Sequence, residues 1–129
     1  MKQVILDTNF LLIPEQFGVD IFSEIERLMQ NRYELCIFDK TLDELKKIAE
    51  TGSGKDKRAA KLGIAFIATK KMRVLKAEEN YVDDAIYKLA EKKGQIVCTQ
   101  DQELKRKLKA KGVSVITLRK MDYLIRVDG

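Results

Sequence analysis

Apolar residues in this chain follow two alternating rhythms. Short unbroken runs, such as Val4-Ile5-Leu6, Leu35-Cys36-Ile37-Phe38 and Ile96-Val97-Cys98, have the length and β-rich composition of strands buried on both faces. Between them, apolar residues recur at three- and four-residue spacing, the period of a helix with one face inward. The pattern predicts strands over Lys2–Leu6, Tyr33–Phe38, Met72–Leu75, Gln95–Thr99 and Val113–Thr117, with Tyr123–Val127 as an edge strand. Asp20 is placed to cap a helix that turns Ile21, Ile25, Leu28 and Met29 inward, and Asp39 one that turns Leu42, Leu45, Ile48 and Ala49 inward. A long helix is expected from Lys55 to Lys70. Tyr81 leads into another, packed through Val82, Ile86, Leu89 and Ala90 and stopped by Gly94. The last runs from Gln102 to Ala110 and ends at Gly112. Pro14 and Gly18 read as an entry loop, and Thr51-Gly52-Ser53-Gly54 as the one flexible break. Strands alternating with helices give an α/β fold, a mostly parallel sheet covered on both faces.

The 129 residues suffice for one domain, 1–129, with its own core. Cys36 and Cys98 lie inside strand-like runs and read as small core residues; two such cysteines make neither a disulfide framework nor a zinc site. No apolar stretch approaches the roughly 20 residues that span a bilayer. The chain enters its first strand at once, so no signal peptide is expected, and a cytoplasmic location without membrane contact follows.

Charge changes the picture because it is uneven. Residues 1–45 hold four Lys/Arg against nine Asp/Glu, residues 46–76 ten against two, residues 77–100 three against five, and residues 101–129 eight against four. Basic blocks flanking an acidic region suit a polyanion held by the blocks and presented to a cation in the acidic part.

The acidic residues gather at element junctions. Asp7 ends the first strand, and Asp101 follows the strand ending at Thr99. Ligands of open parallel sheets sit outside the carboxyl ends of the strands, so both should face one crevice. Glu44 flanks the apolar face of its helix at Leu45. At about 100° per residue, Asp83 borders the Val82–Ile86 stripe while Asp84 points away. Asp83 is then the better ligand, and Asp84 supports the helix start or the outer coordination of a metal. Oxygen-only donors of this kind select a hard divalent cation, Mg²⁺ or Mn²⁺.

These residues resemble the PIN domain, a family of small metal-dependent ribonucleases, over essentially the whole chain. The resemblance rests on Leu6-Asp7-Thr8-Asn9, on Glu44 within Leu42-Asp43-Glu44-Leu45, on Asp83-Asp84-Ala85-Ile86, and on Val97-Cys98-Thr99-Gln100-Asp101 with Glu103 where a further acidic residue is common. It implies a three-layer α/β/α PIN-like fold. Within the family, Phe10–Pro14 and Phe17–Phe22 resemble stand-alone archaeal members related to the nucleases of small-subunit ribosomal RNA processing. VapC toxins share the fold and acidic set. The implied partners are RNA, a second copy of the chain, and an antitoxin or a ribosome-assembly protein.

The expected activity is endonucleolytic hydrolysis of RNA. Asp7, Glu44, Asp83 and Asp101 would be catalytic, with Asp7, Asp83 and Asp101 as metal ligands and Glu44 completing the set or helping to hold a second ion. Thr8, Asn9 and Thr99 would orient carboxylates or waters. Lys46, Lys47, Lys55, Lys57 and Arg58, with Lys105, Arg106 and Lys107, would grip phosphates. The chain has no histidine, which excludes an imidazole acid/base pair. An aspartyl-phosphate enzyme of the haloacid dehalogenase type needs a second Asp where Asn9 stands, and a receiver domain needs an acceptor Asp after Met72–Leu75. A docking module without catalysis is the remaining alternative, and clustered negative charge argues against it.

Overall fold

The structure, a computed structural model, describes residues 1–129. Six strands form one sheet: β1 (Lys2–Leu6), β2 (Tyr33–Phe38), β3 (Arg73–Leu75), β4 (Gln95–Cys98), β5 (Val115–Arg119) and β6 (Tyr123–Val127). Their order across the sheet is β3-β2-β1-β4-β5-β6, and all pairs are parallel except β5 with β6. Helices α1 (Ile13–Phe17), α2 (Ile21–Leu28), α3 (Asp39–Thr51), α4 (Gly54–Thr69), α5 (Val82–Leu89) and α6 (Gln102–Ala110) complete the chain.

Period-two alternation divides the buried side chains between two faces. Val4, Leu6, Ile37, Ile96 and Ile116 join the core made with α1, α2, α3 and α4. Ile5, Cys36, Phe38, Val97 and Val115 join the one made with α5 and α6. The buried carboxyl-end halves of the central strands, Val4–Leu6, Cys36–Phe38 and Ile96–Cys98, are thus wholly apolar, as a sheet covered on both sides requires. Each fully buried Ile or Leu contributes about 1.5–3 kcal/mol relative to exposure. The three-layer α/β/α arrangement expected from the sequence is present.

Several local expectations are corrected. Pro14 and Gly18 lie not in a loop but at the two ends of α1, which follows a 3₁₀ turn over Thr8–Leu12. Proline is tolerated in a first helical turn, where its missing N–H has no partner to lose. Gly18 takes the left-handed conformation (φ 66°) that closes a helix, its amide donating to the Pro14 carbonyl at 2.9 Å. Asp39 is the first helical residue of α3 rather than its cap, and its carboxylate accepts the Lys40 and Ala77 amides. Helix α5 stops at Leu89, with Ala90 as its cap, before Gly94 is reached. Leu89 is 36% exposed and Ala85 takes its place inside. Strand β5 begins at Val115, two residues later than expected, after Gly112 has ended α6 with φ +80°.

The sheet order decides where a ligand can sit. From β1 the chain builds outward to β2 and β3, then returns to the other side of β1 with β4 and β5. That reversal opens a crevice between the carboxyl ends of β1 and β4.

Candidate active site

Asp7 stands at that switch point. It follows β1, its amide donates to the Cys98 carbonyl at 3.0 Å, and only 8% of it is exposed. One carboxylate oxygen accepts the Thr8 amide at 2.8 Å and the other the Thr99 hydroxyl at 2.8 Å. Thr99 is fully buried and also accepts the Asp101 amide at 3.1 Å, so one hydroxyl ties the two strand ends together. Asp101 in turn caps α6 by accepting the Leu104 amide at 3.1 Å, combining a structural role with its place at the crevice. On α3, Glu44 accepts the Thr8 hydroxyl at 3.1 Å. That hydroxyl also lies 3.4 Å from the Thr41 hydroxyl.

Of these, Asp7, Thr8, Glu44 and Asp101 line one open cavity of about 580 Å³ with Asn9, Lys40, Asp43, Asn80, Tyr81, Val82 and Asp83, while Thr99 and Thr41 lie behind its wall. The crevice therefore gathers Asp7, Glu44, Asp83 and Asp101 with Thr8 and Asn9. Asp84 and Glu103 are not part of its wall. Glu103 instead forms an ion pair with Arg106 one turn along α6.

The electrostatics are one-sided. Burial raises the Asp7 carboxyl above its ordinary range; the Thr99 and Thr8 hydrogen bonds oppose the shift, and the charges of Asp101 and Asp83 add to it. Burial likewise raises Glu44, against the Thr8 bond and with help from Asp7 and Asp83. None of the five lining carboxylates takes part in an ion pair. The one lining cation, Lys40, points its ammonium at the Glu79 carbonyl. A site built from oxygen donors with no compensating protein charge suits a hard cation. No three carboxylates close into a cage by themselves.

The basic residues singled out in the sequence lie outside the cavity wall. Lys46 and Lys47 are exposed on α3, within one turn of Glu44. Lys55 donates to the Gln16 carbonyl at 3.1 Å, and Arg58 pairs with Glu15 at 3.4 Å, so both brace α4 against α1. Lys57 is half-buried. Burial and the nearby Arg119 lower the Lys105 ammonium, and Lys107 lies 5.9 Å from the centre of the Tyr87 ring. Lys40, Asp43, Asn80 and Tyr81 were not singled out. Lys40 could have been found by the rule that found Asp7, since it closely follows the carboxyl end of β2. Nothing local marks Asn80 or Tyr81.

Comparison with known proteins agrees with this geometry. A family model described as a PIN like domain matches residues 4–121. Ribonuclease VapC4 of Methanocaldococcus jannaschii is 30% identical over 124 residues, 95% of either chain. Ribonuclease VapC9 of Archaeoglobus fulgidus is 29% identical over 115 residues, 89% of this chain and 82% of its own. Among solved structures, the PIN domain endonuclease Utp24 superposes with a TM-score of 0.73 at 22% identity, over 95% of this chain and 88% of that one, a likeness of fold. Because the matched segment contains Asp7, Glu44, Asp83 and Asp101 together with the strands and helices that carry them, the chain belongs to the PIN-like domain family.

Proposed function

We propose that residues 1–129 form one nuclease domain that hydrolyses RNA phosphodiester bonds with the help of Mg²⁺ or Mn²⁺. The observation that carries this reading is Asp7, a buried carboxylate in an acidic crevice, held by two hydrogen bonds and paired with no protein cation. Asp7, Asp83 and Asp101, with Glu44 completing the set, are the proposed metal-holding residues, one or two of them bound directly and the others through water. The cation would acidify a water and neutralise charge growing on the phosphate. Thr8 and Thr99 keep the Glu44 and Asp7 oxygens aimed, which removes reorganisation from the barrier. Asn9 and Asp43 offer polar contacts at the wall for water or ribose. Lys46 and Lys47 attract the backbone towards the crevice along α3. Water as nucleophile leaves 5′-phosphate and 3′-hydroxyl ends.

Between a VapC-type ribonuclease with an antitoxin partner and a ribosomal RNA processing enzyme, the relatives VapC4 and VapC9 favour the first. The test incubates purified protein and Asp7→Asn with labelled single-stranded and structured RNA in Mn²⁺, Mg²⁺ or EDTA. Cleavage that needs metal and disappears in Asp7→Asn is expected. RNA binding without cleavage under every condition would replace the nuclease by a docking module.

A further inference from the structure

Tyr81 stands at the rim of the acidic crevice with 69% of its surface exposed. The backbone beneath it is firmly held. Tyr81 is the extended N-cap of α5 (φ −121°, ψ 144°), its carbonyl accepts the Ala85 amide at 3.1 Å, and Val82 beside it is buried. The preceding segment is tied down as well. The Asp39 carboxylate accepts the Ala77 amide at 3.0 Å, Lys40 reaches the Glu79 carbonyl, and Lys88 pairs with the Glu79 carboxylate at 3.2 Å. The aromatic and cation–π contacts of the protein involve Phe22, Phe66 and Tyr87, and none of them engages the Tyr81 ring.

We infer that Tyr81 is a stacking platform for an unpaired base of the substrate; RNA as the ligand rests on the ribonuclease reading above. The crevice repels phosphates until a cation is present, and its one lining lysine is engaged elsewhere. A neutral contact between ring and base supplies affinity that this repulsion does not oppose. Every base has a π face, so such a contact tolerates sequence but demands that the base leave its helix. Tyr81 and Asp83 are two residues apart, at most about 7 Å along the chain. The stacked base therefore belongs to the nucleotide at or beside the phosphate that the carboxylates face.

The test measures binding by fluorescence anisotropy in EDTA, where no cleavage intervenes, with a labelled single-stranded RNA and the same strand in a duplex. Tyr81→Ala is expected to weaken single-strand binding about 5- to 150-fold, the range of one lost base–aromatic stack. Tyr81→Phe should bind within about 2-fold of the parent, since the face is kept. Duplex binding should not respond to either change. Irradiation with RNA carrying 5-iodouridine should place the adduct on Tyr81. Equal single-strand binding by Tyr81→Ala, or equal losses for single strand and duplex, would overturn the inference. So would a self-association that Tyr81→Ala abolishes while RNA binding is intact, which assigns the ring to a second copy. Cleavage measured alongside in Mn²⁺ separates the two readings. Cleavage with normal binding by Tyr81→Ala removes the platform and keeps the nuclease, whereas Tyr81-dependent binding without cleavage does the reverse.

Discussion

Thr99→Val removes one hydroxyl and leaves the volume of the side chain nearly unchanged. The hydroxyl is fully buried, donates to Asp7 at 2.8 Å and accepts the Asp101 amide at 3.1 Å. A hydrogen bond to a charged group contributes about 1.5–3 kcal/mol and a neutral one about 0.5–1.5 kcal/mol, so the variant should lose about 2–4.5 kcal/mol. That is a large part of the roughly 5–15 kcal/mol typical of a domain. Urea unfolding in EDTA at neutral pH measures it. Thr99→Ser keeps both bonds and should lose only about 1 kcal/mol for the missing methyl group. The sign of the pH dependence follows from Asp7, whose folded carboxyl lies above its unfolded value because burial outweighs its hydrogen bonds. The penalty for charged Asp7 applies above the folded pKa and fades as pH falls through it. The Thr99 bond favours the charged form, so the Thr99→Val deficit should be greatest above that pKa and shrink as pH falls through it. Turnover should fall about 10- to 100-fold, as for other residues that orient metal ligands. A deficit below about 0.5 kcal/mol, or one indifferent to pH, would refute the view that Thr99 holds the crevice together.

Asp7→Asn should abolish cleavage yet raise the stability of metal-free protein at neutral pH, because a buried, raised carboxylate is replaced by a neutral isostere. Thermal unfolding in EDTA checks the sign. Mn²⁺ at about 100 times its dissociation constant should stabilise the parent by about 2.7 kcal/mol, and Asp7→Asn should show little of this shift. Lys46→Ala and Lys47→Ala should each reduce the salt dependence of single-strand binding by about 0.7 in log–log slope. Lys55→Ala and Arg58→Ala should leave it unchanged, because those cations brace α1, and a change there would overturn that assignment. Gly63→Ala should destabilise by about 1–3 kcal/mol despite better helix propensity. Its methyl group would lie 3.2 Å from the Leu11 carbonyl of the 3₁₀ turn, a backbone atom with little room to retreat. Calorimetry decides the sign.

Short apolar runs and period-3.6 patterns, punctuated by capping and breaking residues, located all six strands and the main helices, since burial is written into which residues can leave water. The strand ends exposed Asp7 and Asp101, and the flank of a helical stripe singled out Asp83 over Asp84. Pro14 and Gly18 misled because the residues that make turns also begin and end helices. Tertiary structure alone put β4 beside β1, and thereby Thr99 against Asp7. It also decided which cations are already engaged: Lys55 and Arg58 by α1, Arg106 by Glu103, Lys40 by Glu79. Partners distant in sequence leave no periodic trace, because their meeting depends on how whole elements pack. Tyr81 shows the same limit. Sequence can mark a tyrosine before a helix, but only the packed crevice shows that its ring stays uncovered beside the carboxylates.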